Sequence, residues 1–187
     1  MIHARLRPES SLFLLVDVQD RLFSVMDEAA RTVAEKNMAI ALEGCGILDV
    51  RVAVTEQYKK GLGATISSLD ERARKVNATY FEKLAFSIAD DPAAKAWIAS
   101  ENPTDVIVAG METHICVLQT VRDLLLLGKR VTLLGDAVLS RKDSHRELAL
   151  RSAVQMGASV VPTESVLFDW MGQAGTDSFR AVSKLVR

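Results

Sequence analysis

The stretch that decides the fold is residues 105–128, DVIVAGMETHICVLQTVRDLLLLG. Residues 105–109 form a short, mostly apolar run, which is typical of a parallel strand buried on both faces, and Gly110 interrupts it. The spacing of the apolar residues that follow predicts a helix over residues 113–127, which ends at Gly128. A strand that leads through a turn into a helix is the repeating unit of an α/β fold.

The same alternation is repeated along the rest of the chain. Short apolar runs predict further strands at residues 12–17, 52–55, 79–81 and 131–134, and one that starts at Val160. Helices are predicted over residues 30–47, from Asp91 and Pro92 onward, near residues 179–185, and up to Met156 from a capping-box pattern at Ser144 and Glu147. These elements predict a single domain over residues 1–187, a three-layer α/β/α fold around a mostly parallel sheet.

Composition and charge limit the classes of partner. The formal net charge of the 187 residues is −1 and no basic run is present, so we expect no binding of nucleic acid. The apolar run at residues 12–16 is too short for a signal peptide or a membrane span, and so we expect no membrane partner. A cytoplasmic protein that acts on a small molecule is the simplest expectation.

Several familiar motifs do not occur in the sequence. It contains no dinucleotide-binding fingerprint, phosphate loop, Gly-x-Ser-x-Gly elbow or His-Glu-x-x-His motif. The three histidines are scattered, and the two cysteines, Cys45 and Cys116, show no metal-ligand spacing. We therefore expect neither a cofactor nor a metal site.

Three reactive side chains, Asp17, Lys83 and Cys116, fall at or just after the predicted carboxyl ends of strands, where α/β proteins bind ligands. Taken singly, Asp17 can cap a helix, Lys83 can be a solvated charge and Cys116 a small core residue. Together they suit nucleophilic catalysis, because Asp17 can accept the thiol proton while Lys83 and the helix dipole stabilise the thiolate. We therefore predict that the pKa of Cys116 lies below its ordinary value, whereas Cys45 is a core thiol.

Residues 14–19 (LLVDVQ), Lys83 and residues 108–117 (VAGMETHICV) resemble the three signatures of the isochorismatase-like cysteine hydrolases. The resemblance implies an α/β/α fold in which Asp17 is the proton acceptor, Lys83 the orienting cation and Cys116 the nucleophile. It also implies a cis peptide between Met111 and Glu112 and an oxyanion hole formed by the N–H groups of Glu112 and Cys116.

The segment after the second strand indicates the branch. Residues 54–58 (VTEQY) lack the Asp-x-His metal motif of nicotinamidases, and together with residues 60–63 (KGLG) they resemble the isochorismatase domain-containing proteins. The resemblance further implies a homo-oligomer, a dimer or tetramer, in which neighbouring subunits close the pocket. The residues expected to line the substrate pocket are Gln19, Phe23, Gln57, Tyr58, Phe86, Met111 and Ile115.

The resemblance implies hydrolysis of an amide, imide or carbamoyl C–N bond through a covalent acyl-enzyme. Two alternatives remain open at this point. One is hydrolysis of a vinyl ether such as isochorismate, for which Arg141 is the cation of interest. The other is a non-catalytic redox or scaffold role that uses the Cys116 thiol.

Overall fold

A computed structural model describes residues 4–187. Its six strands form one parallel sheet in the order β3-β2-β1-β4-β5-β6. The strands are β1 (Ser11–Val16), β2 (Arg51–Gln57), β3 (Thr79–Lys83), β4 (Asp105–Met111), β5 (Arg130–Leu139) and β6 (Ser159–Val161). The strand order reverses beside β1, so that β1 and β4 lie at the centre of the sheet.

Helices cover both faces of this sheet. They are α1 (Asp20–Phe23), α2 (Glu28–Leu48), α3 (Lys59–Leu62), α4 (Ser67–Lys75), α5 (Pro92–Glu101), α6 (Leu118–Leu126), α7 (Asp143–Met156), α8 (Thr163–Met171) and α9 (Asp177–Leu185). Short 3₁₀ turns occupy Pro8–Ser10 and Ile88–Asp90, and a π-helical turn occupies Thr113–Val117.

The central strand β1 shows why three layers form. Phe13 and Leu15 point to one face, where they pack in a core with residues of α2, α4, α8 and α9. Leu12, Leu14 and Val16 point to the other face and pack with residues of α5, α6 and α7. Because successive side chains of a strand alternate between faces, a continuous apolar run requires a layer on each side. The predicted three-layer α/β/α fold is confirmed.

The structure departs from the predicted elements in several places. The segment after β4 does not start as an α-helix, because residues Thr113–Val117 form a π-helical turn before α6 begins. The capping box at Ser144 and Glu147 is wrong, since α7 already begins at Asp143 and no side chain caps its N-terminus. Helix α4 was not predicted because only two of its residues, Leu69 and Ala73, are buried. A second unpredicted helix, α8, buries a regular apolar stripe that the sequence does contain.

Gly110 has to be glycine because its backbone lies against β1. Its φ is +121°, and an added Cβ would lie 2.1 Å from the carbonyl oxygen of Val16. Gly110 is also paired with Val16 in the β1–β4 register, directly before Asp17. This close approach therefore fixes the distance between the two central strands at their carboxyl ends.

We predict that Gly110→Ala destabilises the fold far more than Gly128→Ala. Gly128 also has a positive φ, +75°, but no atom lies within 4 Å of its added Cβ. Backbone strain alone should cost about 1 kcal/mol at Gly128, and steric overlap should raise the cost at Gly110 to about 3 kcal/mol or more. Urea unfolding of both variants measures the difference, and equal losses of stability would contradict the packing argument.

Candidate active site

Four adjacent strands bring the predicted triad together. Asp17 follows β1 in a left-handed conformation with φ 51°, Lys83 is the last residue of β3, and Cys116 lies in the π-helical turn after β4. Strand β2 lies between β1 and β3, where Thr55 is paired with Val16 and Gln57 with Lys83. The site therefore lies at the carboxyl edge of the sheet, where the sequence places it.

The centre of the site is a buried ion pair between Lys83 and Asp17. Lys83 Nζ lies 2.7 Å from Asp17 Oδ2, and both side chains have no solvent exposure. The ammonium group also donates to Gln57 Oε1 at 2.9 Å and to the carbonyl oxygen of Phe86 at 3.0 Å. The ammonium group can remain charged while buried, because these hydrogen bonds replace the ones that it would make to water.

Thr55 holds the other oxygen of the Asp17 carboxylate. Its hydroxyl donates to Asp17 Oδ1 at 2.6 Å, and the N–H of Asp17 donates to the Thr55 carbonyl oxygen at 3.1 Å. The sequence analysis did not identify this residue. The sequence does contain a pattern that points to it. Thr55 and Gln57 are polar residues two positions apart at the carboxyl end of a strand, and their side chains therefore lie on the same face of the sheet.

The predicted low pKa of Cys116 is wrong. Burial raises the pKa of this thiol to about 12, and the negative charge and hydrogen bond of Asp17 act in the same direction. The positive charge of Lys83 opposes the shift but does not overcome it. The thiol is only 6% exposed, and Lys83 is already neutralised by Asp17. The surroundings of Cys116 therefore favour the protonated thiol over the thiolate.

Glu112 anchors the turn that carries Cys116. The peptide between Met111 and Glu112 is cis. The Glu112 carbonyl oxygen accepts from the N–H groups of Ile115 at 3.0 Å and Val117 at 3.3 Å, which closes the turn. An oxyanion hole built from the N–H groups of Glu112 and Cys116 stays a prediction.

The residues predicted to line the pocket differ in their surroundings. Gln19 is buried, and its amide joins the segments after β1 and β2 through bonds to the N–H of Gln57 at 2.7 Å and to the Gly63 carbonyl oxygen at 2.6 Å. Met111 is also buried, whereas Tyr58 is 50% and Phe86 52% exposed. Phe23 and Ile115 are partly buried. Direct contact of these residues with a substrate stays a prediction.

Beside the ion pair, three large apolar side chains reach the surface. Gln57 donates to the carbonyl oxygen of Leu84 at 2.7 Å, which ties the segment after β3 to the site. Leu84 is 75% exposed and, together with Tyr58 and Phe86, forms what we call the apolar rim. Leu84 was missed by the sequence analysis, although it directly follows Lys83.

Two kinds of feature are absent from the part of the chain that the structure describes. Within residues 4–187, no group of three or more His, Cys, Asp or Glu side chains is arranged to hold a metal ion. No helix in that part of the chain is long and apolar enough to cross a membrane.

We predict that alkylation of Cys116 by iodoacetamide rises about tenfold per pH unit from pH 7 to pH 10 without a plateau, because only the thiolate reacts. Asp17→Asn should speed the reaction, since the anion that retains the proton is gone. Cys45, which is fully buried and whose pKa is raised by burial, serves as the internal control and should stay unlabelled. Peptide mass spectrometry gives both rates, and a plateau below pH 8 would contradict the assignment.

Comparison with known proteins identifies relatives over nearly the whole chain. The family model of the isochorismatase domain matches residues 11–165. The secreted isochorismatase effector of Phytophthora sojae is 32% identical, covering 98% of this chain and 87% of that protein. Isochorismatase domain-containing protein 2 of Danio rerio is also 32% identical, covering 97% of this chain and 89% of that protein.

A solved structure gives the same result for the fold. The MAR1 ribonuclease of Caenorhabditis elegans superposes with a TM-score of 0.90 and is 32% identical, with 98% of this chain and 92% of that chain covered. The matching residues of the family model extend from the first residue of β1 to the start of α8, and include Asp17, Lys83 and Cys116. The chain therefore belongs to the isochorismatase family, whose members are hydrolases.

Proposed function

We propose that this protein is a cysteine-dependent hydrolase of a small molecule, and that it cleaves an amide, imide or carbamoyl C–N bond through a covalent acyl-enzyme. The observation that carries the proposal is the Asp17 carboxylate. One of its oxygens is bound by Lys83 and the other by Thr55, and burial raises the pKa of the adjacent Cys116 thiol. A base held in one orientation beside a nucleophile is the arrangement that acyl transfer requires.

The first half of the reaction forms the acyl-enzyme. Cys116 Sγ attacks the substrate carbonyl carbon, the S–C bond forms, and the thiol proton passes to Asp17. The C–N bond then breaks, its electron pair stays on nitrogen, and Asp17 returns the proton to the leaving amine. Because the raised pKa of Cys116 leaves little thiolate at pH 7, proton transfer has to accompany the attack.

The second half releases the product. A water molecule attacks the thioester carbon, Asp17 accepts a proton from that water, and the C–S bond breaks to release a carboxylic acid. The proton returns from Asp17 to sulfur, which restores the starting thiol. The role of Lys83 in both halves is to orient the Asp17 carboxylate.

Charge that develops on the carbonyl oxygen needs hydrogen-bond donors. The proposal assigns this role to the N–H groups of Glu112 and Cys116, which belong to the turn after β4. Removing one such donor from an enzyme typically lowers kcat by about 10²–10³. No metal or cofactor takes part in the proposed steps.

The apolar rim supports a substrate with an apolar portion next to the scissile bond. Tyr58, Leu84 and Phe86 present large side chains that are at least half exposed, and polar groups near the ion pair already have partners. An apolar group on the substrate would gain about 25 cal/mol for each Å² that it buries against this rim. The remaining proposed pocket residues are Gln19, Phe23, Gln57, Met111 and Ile115.

Vinyl-ether hydrolysis is the second candidate. Its support is that a relative from Phytophthora sojae is named a secreted isochorismatase effector, and that the Arg141 side chain is 57% exposed beside Glu112. This reaction needs an acid but no thiol nucleophile.

A non-catalytic redox role gains little support from the structure, because a protonated, buried thiol reacts slowly with oxidants. RNA belongs in the assay panel because the C. elegans relative is named a ribonuclease, although the formal net charge of −1 does not favour RNA binding.

We predict that Cys116→Ala abolishes hydrolysis of a panel of amides, imides and carbamoyl compounds, and that Asp17→Asn lowers kcat by about 10²–10⁴. Cys45→Ala is the matched control, because it removes the other thiol at a distance from the triad and should retain activity. Intact-mass spectrometry should detect an acyl adduct of wild-type protein, and EDTA should leave turnover unchanged. Turnover of isochorismate by Cys116→Ala at the wild-type rate would favour the vinyl-ether candidate instead.

We also propose a homo-oligomer, a dimer or tetramer, formed by one domain over residues 1–187 and located in the cytoplasm. The exposed apolar rim supports it, because contact with a second subunit would bury these side chains. Both cysteines are free, which suits a reducing compartment.

Light scattering after size exclusion at micromolar concentration should therefore give at least twice the chain mass of 20.4 kDa. Leu84→Ser should shift the mass toward the monomer if the rim lies in the interface, whereas Leu126→Ser, at an equally exposed leucine of α6, is the control. A monomeric mass for the wild-type protein would contradict the proposal.

A further inference from the structure

The end of β5 is joined to the catalytic turn by bonds from three consecutive residues. The hydroxyl of Thr113 donates to the Leu139 carbonyl oxygen at 2.9 Å, and His114 Nδ1 lies 3.0 Å from Ser140 Oγ. Arg141 binds Glu112 through both its backbone and its side chain. The segments 112–114 and 139–141 are therefore linked side by side, residue by residue.

The Glu112–Arg141 pair is the charged part of this link. The N–H of Arg141 donates to Glu112 Oε2 at 2.9 Å, and its Nε lies 3.1 Å from both carboxylate oxygens. The Glu112 carboxylate is only 4% exposed, whereas the Arg141 side chain is 57% exposed. Burial raises the pKa of Glu112, but the hydrogen bonds and charge of Arg141 outweigh burial and hold this pKa below its ordinary value.

The charge of Glu112 acts on the nucleophile. Its negative charge is one of the contributions that raise the pKa of Cys116, after burial and Asp17. A buried carboxylate four residues before the nucleophile therefore opposes thiolate formation unless a cation balances it. Arg141 is the cation in contact with it. The other charged or titratable groups facing these residues are Asp17, Lys83, His114 and His145.

We propose that Arg141 is a positioning residue of the reaction. It balances the charge of the Glu112 carboxylate that it contacts, so that Cys116 can lose its proton during attack. This role rests on the function proposed above but concerns the reactivity of the thiol, which can be measured without any substrate.

The test is the rate of Cys116 alkylation by iodoacetamide at pH 9, followed by peptide mass spectrometry. Arg141→Gln should react about tenfold more slowly than the wild type, the effect of raising a pKa by about one unit. The double variant Glu112→Gln with Arg141→Gln removes both charges of the pair and should recover to within about twofold of the wild type. Arg151→Gln, an exposed charge loss on α7, should match the wild type.

A purely structural role would give a different pattern. If Arg141 only held the turn in place, removing the Glu112 charge would not rescue the rate, and the double variant would be as slow as Arg141→Gln. That result, or a wild-type rate for Arg141→Gln, overturns the proposal. If Arg141→Gln does not fold, the double variant decides: the proposal requires a rate within about twofold of the wild type and about tenfold below that of Glu112→Gln alone, in which the Arg141 charge is unopposed, and any other rate overturns it.

The outcome is separate from the proposed hydrolase activity. Loss of hydrolysis in all assays together with the predicted alkylation pattern would leave the role of Arg141 intact and refute only the reaction. If the wild type hydrolyses a substrate, Cys116→Ala does not, and Arg141→Gln is alkylated at the wild-type rate, the proposed reaction stands and the role of Arg141 is refuted.

Discussion

The buried ion pair between Lys83 and Asp17 is the constraint on which the rest of the site depends. Moving two charges out of water costs several kcal/mol for each ion, and removing one partner of such a pair typically costs about 3–5 kcal/mol. The pair therefore persists only while β1, β2 and β3 stay in register. Strand β2 supplies Thr55 and Gln57 as further partners, one for each charged group. The ion pair therefore stabilises the register of β1, β2 and β3 at their carboxyl ends, and this register in turn positions Asp17 and Lys83.

This pair also determines the state of the nucleophile. Lys83 does not lower the pKa of Cys116 below its ordinary value, because burial of the thiol and then the opposite charge of Asp17 raise it. The surroundings of Cys116 therefore favour the protonated thiol. A protonated thiol is less reactive toward oxidants, which suits the proposed nucleophile.

Much of the fold could be predicted from sequence, because a strand buried on both faces leaves a continuous apolar run, as in residues 105–109. The triad could be placed because strand ends in a parallel sheet meet at one edge. The direction of the Cys116 pKa shift could not be predicted, since it depends on how deeply the thiol is buried and then on its distances to Asp17 and Lys83. Thr55 and Arg141 were assigned no role in the triad prediction for a similar reason, because their partners lie 38 and 29 positions away along the chain.

The close approach of Gly110 to Val16 connects these observations. It sets the separation of β1 and β4 at the point where Asp17 leaves one strand and the Cys116 turn leaves the other. A side chain at this position would force the two strands apart, and with them the carboxylate and the thiol. Proton transfer requires donor and acceptor within about 3 Å, so a displacement of even 1 Å matters for the rate. The glycine that appeared in the sequence as a break in a strand therefore lies where the proposed base and the proposed nucleophile leave their strands.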